Sequence, residues 1–282
     1  MFFPSVRIHR ELGHRLVLLL GSIVVMNPLL DLSARPVIAH RGASASRPEN
    51  TLAAFELAAQ LGADACELDV HLSADGIPVV IHDLTLDRTT DSRGPVSRHT
   101  VAELRRIDAG ARFTLDGGRT FPFRGQGLRI PALADVLAAF PEMPLLIELK
   151  ESRAQEAVRR VLLDHAAAER CVVASDCQAA LEVFSQVPFL RAASREEISR
   201  LFWGATFGRV PASVPYRLLS APERYRGITV PTRRFCAAAR RFGCPVHVWT
   251  VNTAAAARRL WSRGVAGIVT DAPERIRVAR DG

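Results

Sequence analysis

From residue 36 onward, short β-branched or apolar runs alternate with alanine-rich stretches of helical period. Nine runs read as strands: 37–40, 65–70, 79–82, 145–149, 171–174, 189–192, 217–220, 246–251 and 267–269. Helical spacing appears at 51–61, 132–140, 153–167, 179–186, 233–242 and 254–263. In the first helix Leu52, Phe55 and Ala59 fall at i, i+3 and i+7, which predicts one buried face, with Gly62 as the stop. Asn50 and Thr51 are the predicted caps at its start. Repeated strand–helix alternation means a parallel sheet wrapped by helices. Nine candidates exceed the eight strands of a closed barrel, so at least one is peripheral. Residues 84–130 break the rhythm: they are rich in Gly, Arg, Asp and Thr and carry one short helical piece at 101–107. A stretch of that length reads as a small inserted subdomain.

Polar residues cluster at the ends of the predicted strands, where barrel active sites collect. The first strand ends in His40-Arg41-Gly42, and the second carries Glu67 and Asp69, two apart and so on one face. The third ends in His82-Asp83, and the next contains Glu148 and Lys150, again two apart. Carboxylates are almost never buried without a partner, so this convergence points to chemistry. Three carboxylates without cysteine make a hard-cation site suited to Ca²⁺ or Mg²⁺. Arg41 and Lys150 beside them would bind an anion such as phosphate. Trp249, at a strand end, would give such a ligand an apolar wall, or else pack in the core.

Composition narrows the partners. The chain is 48% hydrophobic and 23% charged, which excludes a disordered chain and a polytopic membrane protein. Its net charge of +8 suits an anionic partner, but the arginines are scattered and aromatics make up only 6%, with no basic–aromatic run for stacking bases. Nucleic acid is therefore disfavoured, and a small anionic substrate or an anionic membrane surface remains. Five cysteines without a C-x-x-C pair form neither a disulfide framework nor a zinc site, which favours a cytoplasmic setting. Against that stands the uncharged run 16–26, preceded by Arg7, Arg10 and Arg15. Residues 1–35 thus read as a leader that is a signal, a membrane anchor or a helix packed on the domain, the first two implying export or tethering. Lys150 is the only lysine in the chain.

The motif HRGASASRPENTLAAFELAAQLGADACELDVHLSADGIPVVIHDLTLDRTTDSRG, from His40 to Gly94, resembles the opening of the glycerophosphodiester phosphodiesterase family. The likeness continues through IELK at 147–150, VWTVN at 248–252 and GVAGIVTDAP at 264–273. It implies a TIM-type (β/α)8 barrel over residues 36–282, with a small insertion after the third strand at about 84–130 that caps the pocket. It also implies a phosphoric diester hydrolase that turns glycerophosphodiesters into glycerol 3-phosphate and an alcohol with a divalent metal. By motif position Glu67, Asp69 and Glu148 would be the metal ligands, His40 and His82 the general acid–base pair, and Arg41 and Lys150 the groups that stabilise phosphoryl charge. The family's proposed routes include a cyclic phosphate made by the neighbouring glycerol hydroxyl. Asp271, in TDAP, reads as a turn or supporting residue, and His71, His99, His165 and His247 match no catalytic position. The family commonly carries an acidic residue where this chain has Ala266. An alternative within the same chemistry is lysophospholipase D-type hydrolysis of lysophospholipids at a membrane surface, which the apolar leader and basic charge would favour.

Overall fold

The computed structural model describes residues 27–282 in full, together with the backbone of Leu16–Leu19 and Ser22–Val25, which pair as a short antiparallel hairpin. The fate assigned to the rest of the apolar leader lies outside the described residues. Among those described, no helix is long and apolar enough to cross a membrane.

Eight parallel strands form the domain: β1 Val37–His40, β2 Ala65–Leu72, β3 Leu145–Leu149, β4 Cys171–Ala174, β5 Leu190–Arg191, β6 Leu219–Pro222, β7 Val246–Trp249 and β8 Gly267–Thr270. They pair in the order β5-β4-β3-β2-β1-β8-β7-β6. A parallel bridge between Ala192 and Leu218 joins the two ends, with the Ala193 N–H donating to the Leu218 carbonyl at 2.9 Å. The sheet therefore closes on itself as a TIM-type barrel. The peripheral ninth strand is the third in the chain: Pro78–Val80 runs antiparallel to the end of β2, as its extension. The insertion follows that strand and so falls between the second and third strands of the barrel.

The outer layer comprises α1 Leu52–Gln60, α2 Val101–Leu104 in the insertion, α3 Leu133–Ala139, α4 Gln155–Asp164, α5 Arg195–Phe207, α6 Arg233–Arg241, α7 Ala254–Trp261 and α8 Pro273–Asp281. A 3₁₀ helix, Gln178–Phe184, takes the helical place after β4. The buried face of α1 is Ala54, Phe55 and Ala58, while Leu52 is exposed, so the face predicted from spacing is rotated. Gly42 explains the rotation: a Cβ there would lie 2.5 Å from the Ala54 backbone, so the loop after β1 presses directly on α1.

Along β2, Cys66, Leu68 and Val70 point outward into the sheet–helix core, leaving Glu67 and Asp69 to the barrel interior. The lower interior is filled by Ile38, Ala65, Leu146, Val172 and Val269, and Leu29 inserts among them as a plug with none of its surface exposed. His247 secures the plug by donating Nε2–H to the Leu29 carbonyl at 2.9 Å. The insertion has its own apolar cluster of Leu86, Val96, Leu104 and Ile130 on Val79 and Ile81. All five cysteines are free and four are buried; burial pushes the thiols of Cys171 and Cys236 up to about 12, which leaves them inert. Ala266 is buried and its N–H pairs with the Val246 carbonyl, so the departure from the family's acidic residue leaves the last strand in register.

Candidate active site

The carboxyl ends of the strands surround a cavity of about 260 Å³ lined by His40, Arg41, Glu67, His82, Glu148, Lys150 and Trp249 among others. Asp69 lies just beneath, 1% exposed. All eight predicted site residues therefore meet at one mouth. None of the lining residues comes from 84–130. The insertion's apolar side chains pack on one another and on Val79 and Ile81.

Both histidines are held by carboxylates at Nδ1. His40 sits 2.6 Å from Asp271 Oδ1, and His82 sits 2.6 Å from Asp83 Oδ1. A carboxylate at Nδ1 keeps the proton there and leaves Nε2 to act toward the cavity; His40 Nε2 is 4.0 Å from Glu67 Oε2. Burial pulls the His40 pKa down, but the bond to Asp271 and the charge of Glu67 more than offset it, so the net direction is up. Asp271 is itself fixed: Ser44 Oγ donates to its Oδ1 at 3.0 Å and Asn252 Nδ2 to its Oδ2 at 2.6 Å. The His82 carbonyl accepts from His71 Nε2 at 3.1 Å, so the buried His71 anchors the backbone of its neighbour across the hairpin.

Glu67, Asp69 and Glu148 offer carboxylate oxygens that all lie within 4.8 Å of one another. Lys150 Nζ bridges two of them, 2.8 Å from Asp69 and 2.9 Å from Glu148. Arg41 sits at the rim in a left-handed backbone conformation (φ 57°), with Nε 3.1 Å from Asp69 and Nη1 2.8 Å from Glu49. Burial works against the Asp69 carboxylate, yet Lys150 and Arg41 hold its pKa below the ordinary range. Glu67 goes the other way: burial and the adjacent Asp69 charge push it well up, so the protein's own cations do not neutralise the cluster. An oxygen-only trio with uncompensated charge fits a hard divalent cation, whose own charge would restore all three as carboxylates.

Four supporting groups join these residues, and the sequence signals them unevenly. Asp83 directly follows His82, so the His-Asp doublet was a signal for its pairing; Asp271, 231 residues from His40, gave none. Asn50 is not a cap: Thr51 alone accepts from Ala54 N, while Asn50 turns to φ 58° and donates its amide to buried Asp69 at 2.9 Å. Arg88, inside the insertion, carries no sequence mark that sets it apart from the other loop arginines. Its guanidinium contacts Asp83 at 2.6 Å and Glu49 at 2.7 Å, while Glu49 also accepts from Arg41. A continuous charged chain thus runs from His82 through Asp83, Arg88, Glu49 and Arg41 to Asp69.

A profile of the glycerophosphoryl diester phosphodiesterase family matches residues 40–275. The chain belongs to this family. It is accordingly a phosphoric diester hydrolase by class. The glycerophosphodiester phosphodiesterase of Caldanaerobacter subterraneus subsp. tengcongensis is 34% identical over 248 residues, which are 84% of this chain and 94% of that one. The glycerophosphoryl diester phosphodiesterase domain of Rv2277c from Mycobacterium tuberculosis superposes with a TM-score of 0.77 at 25% identity, covering 87% of this chain and 98% of that one. The Oleispira antarctica phosphodiesterase OLEI02445, solved with the product sn-glycerol-3-phosphate, gives a TM-score of 0.70 at 28% identity over 88% of this chain and 97% of that one.

Proposed function

We propose that this enzyme hydrolyses glycerophosphodiesters to glycerol 3-phosphate and an alcohol, with Ca²⁺ or Mg²⁺ held by Glu67, Asp69 and Glu148. The observation that carries the reading is the pair of imidazoles, each held by its own carboxylate, at a cavity that also gathers three acidic and two cationic side chains. The product found in the Oleispira antarctica relative supports the same substrate class.

A phosphodiester anion repels nucleophiles, so its non-bridging oxygens must be neutralised and the departing alkoxide protonated. When bound, the metal supplies Lewis-acid stabilisation of phosphoryl charge. Arg41 and Lys150 add fixed positive charge at the same oxygens. One imidazole takes the proton of the attacking hydroxyl as its oxygen bonds to phosphorus. The other gives a proton to the alcohol oxygen as its bond to phosphorus breaks. Over the full reaction one water is consumed, and the two histidines return to their starting protonation. Trp249 forms an apolar wall beside the glycerol carbons.

The test is a panel of glycerophosphocholine, glycerophosphoethanolamine and lysophosphatidylcholine, assayed with EDTA, with Ca²⁺ or Mg²⁺ restored, and with His40→Ala. Glycerol 3-phosphate should form from the first two, stop with EDTA and return with metal. His40→Ala should cost about 10²–10⁴ in rate. Full activity surviving EDTA or His40→Ala would overturn the mechanism, and a preference for the lysolipid would overturn the substrate class.

A further inference from the structure

At the end of the barrel opposite the cavity, two neighbouring helices present a surface that the chemistry above does not use. Helix α5 starts at the mouth, where Ile198 lines the cavity, and runs down to Gly208. In its last two turns Trp203 is 46% and Phe207 71% exposed, and their rings stack with centroids 5.9 Å apart. Phe202 ties this pair to α6, lying 5.1 Å from Trp203 and 6.2 Å from Phe235. Arg200 and Arg209 border the shallow groove between the two exposed rings.

Helix α6 runs parallel to α5, so its last turn reaches the same end of the barrel. It contains four exposed arginines and no acidic residue: Arg233 and Arg234 stand in its first turn, toward the mouth, and Arg240 and Arg241 in its last turn, at this end. None of the four has a carboxylate partner among the described residues. The chain also enters the fold at this end of the barrel: Asn27 donates to the Glu169 carbonyl in the loop before β4, and the apolar run 16–26 immediately precedes it in sequence.

We infer that this α5–α6 face docks on an anionic lipid surface. Exposed Trp203 and Phe207 would enter the headgroup boundary while Arg240 and Arg241 meet lipid phosphate, the arrangement of an interfacial anchor. The charge of the face selects against the other occupants. A second copy of the chain would bring arginine against arginine. A nucleic acid would find the aromatic faces spent on each other instead of open for stacking. Docking by this end turns the cavity mouth toward water. Given the glycerophosphodiesterase reading, that orientation suits soluble diesters and disfavours substrates embedded in the bilayer.

The test uses the full chain with vesicles of phosphatidylcholine alone or mixed with phosphatidylglycerol, followed by sedimentation and by quenching of tryptophan emission with brominated lipid. The protein should bind only the anionic vesicles, with clear quenching. Arg240→Glu/Arg241→Glu should lower the partition coefficient at least about tenfold, as each arginine near an anionic surface contributes severalfold. Trp203→Phe, a conservative change, should keep most binding but remove most of the quenching, since Trp249 stands at the opposite mouth and Trp261 is buried. Turnover of glycerophosphocholine by both variants should stay at the wild-type level, which reads their folding and separates this inference from the proposed activity. Binding unaffected by the α6 change, quenching that persists in Trp203→Phe, or capture of a DNA duplex with no vesicle binding would each overturn the inference.

Discussion

Replacing Asp271 with asparagine removes one negative charge while keeping nearly the same shape. The surroundings dictate which way the new amide turns. Asn252 Nδ2 donates to one Asp271 oxygen at 2.6 Å, and Asn252 cannot flip, because its own Oδ1 accepts from Thr270 Oγ1 at 3.0 Å and from Asp271 N at 2.9 Å. The asparagine carbonyl must therefore face Asn252, which aims its NH₂ group at His40 Nδ1. The imidazole is then forced to accept at Nδ1 and to carry its proton on Nε2, the wrong tautomer for the cavity. Loss of the charged hydrogen bond alone is worth about 1.5–3 kcal/mol, or roughly 10- to 150-fold in rate. The inverted tautomer raises the expected loss in kcat to about 10²–10⁴. KM should change little, because Asp271 stands behind the imidazole and not on the wall of the central cavity. The pH limb that reports His40 should also move to lower pH, since Asp271 favours the protonated ring. Steady-state release of glycerol 3-phosphate across pH, with a thermal melt to verify folding, measures all three. A folded Asp271→Asn enzyme with kcat within about threefold of wild type would refute the assigned role.

Three further outcomes follow from the geometry. Lys150→Arg keeps the charge but cannot place a forked guanidinium where one ammonium meets both Asp69 and Glu148, so kcat should fall at least about tenfold in the diesterase assay. Arg88→Ala should lower kcat about tenfold: Arg88 and His82 hold the Asp83 carboxylate down at about 2, and Arg88→Lys should recover only part because it cannot span Asp83 and Glu49 together. His247 is fully buried, and burial pushes its pKa down to about 4, the bond to the Leu29 carbonyl opposing. The unfolded ring binds a proton near pH 6.5 and the folded one does not, so stability is complete above that value and is lost as pH falls toward 4, by about 1.4 kcal/mol per unit. Urea unfolding at pH 7.5 and pH 5 should show a drop that His247→Gln reduces by on the order of 2 kcal/mol; equal drops would exclude His247 as the source.

Most of the barrel could be read along the chain because each strand end announces itself in apolar runs bounded by polar residues. β1, β3 and β4 match their predicted bounds residue for residue. The helices α5 and α8 did not stand out, for their mixed charged and apolar residues blur the period. The run 79–82 has the composition of a barrel strand, and only its antiparallel pairing with β2 reveals it as a side arm. The eight site residues were legible since spacing by two puts Glu67 with Asp69 and Glu148 with Lys150 on one face. Arg88 was not, and Asp271 was legible only as a turn or supporting residue without its partner, because a charged residue in a loop looks alike whether it meets solvent or a histidine.

The sequence by itself determined the acidic, cationic and titratable groups of the site: which strand ends carry acids, which carry imidazoles, and where the sole lysine stands. Those follow from local order, since side-chain direction in a strand alternates with residue number. The tertiary structure alone decided which carboxylate holds which histidine, that Asn50 serves Asp69 instead of the helix, and that Leu29 closes the barrel floor. Each of these depends on segments far apart in the chain meeting within hydrogen-bond distance, and barrel closure is what brings residue 271 back to residue 40.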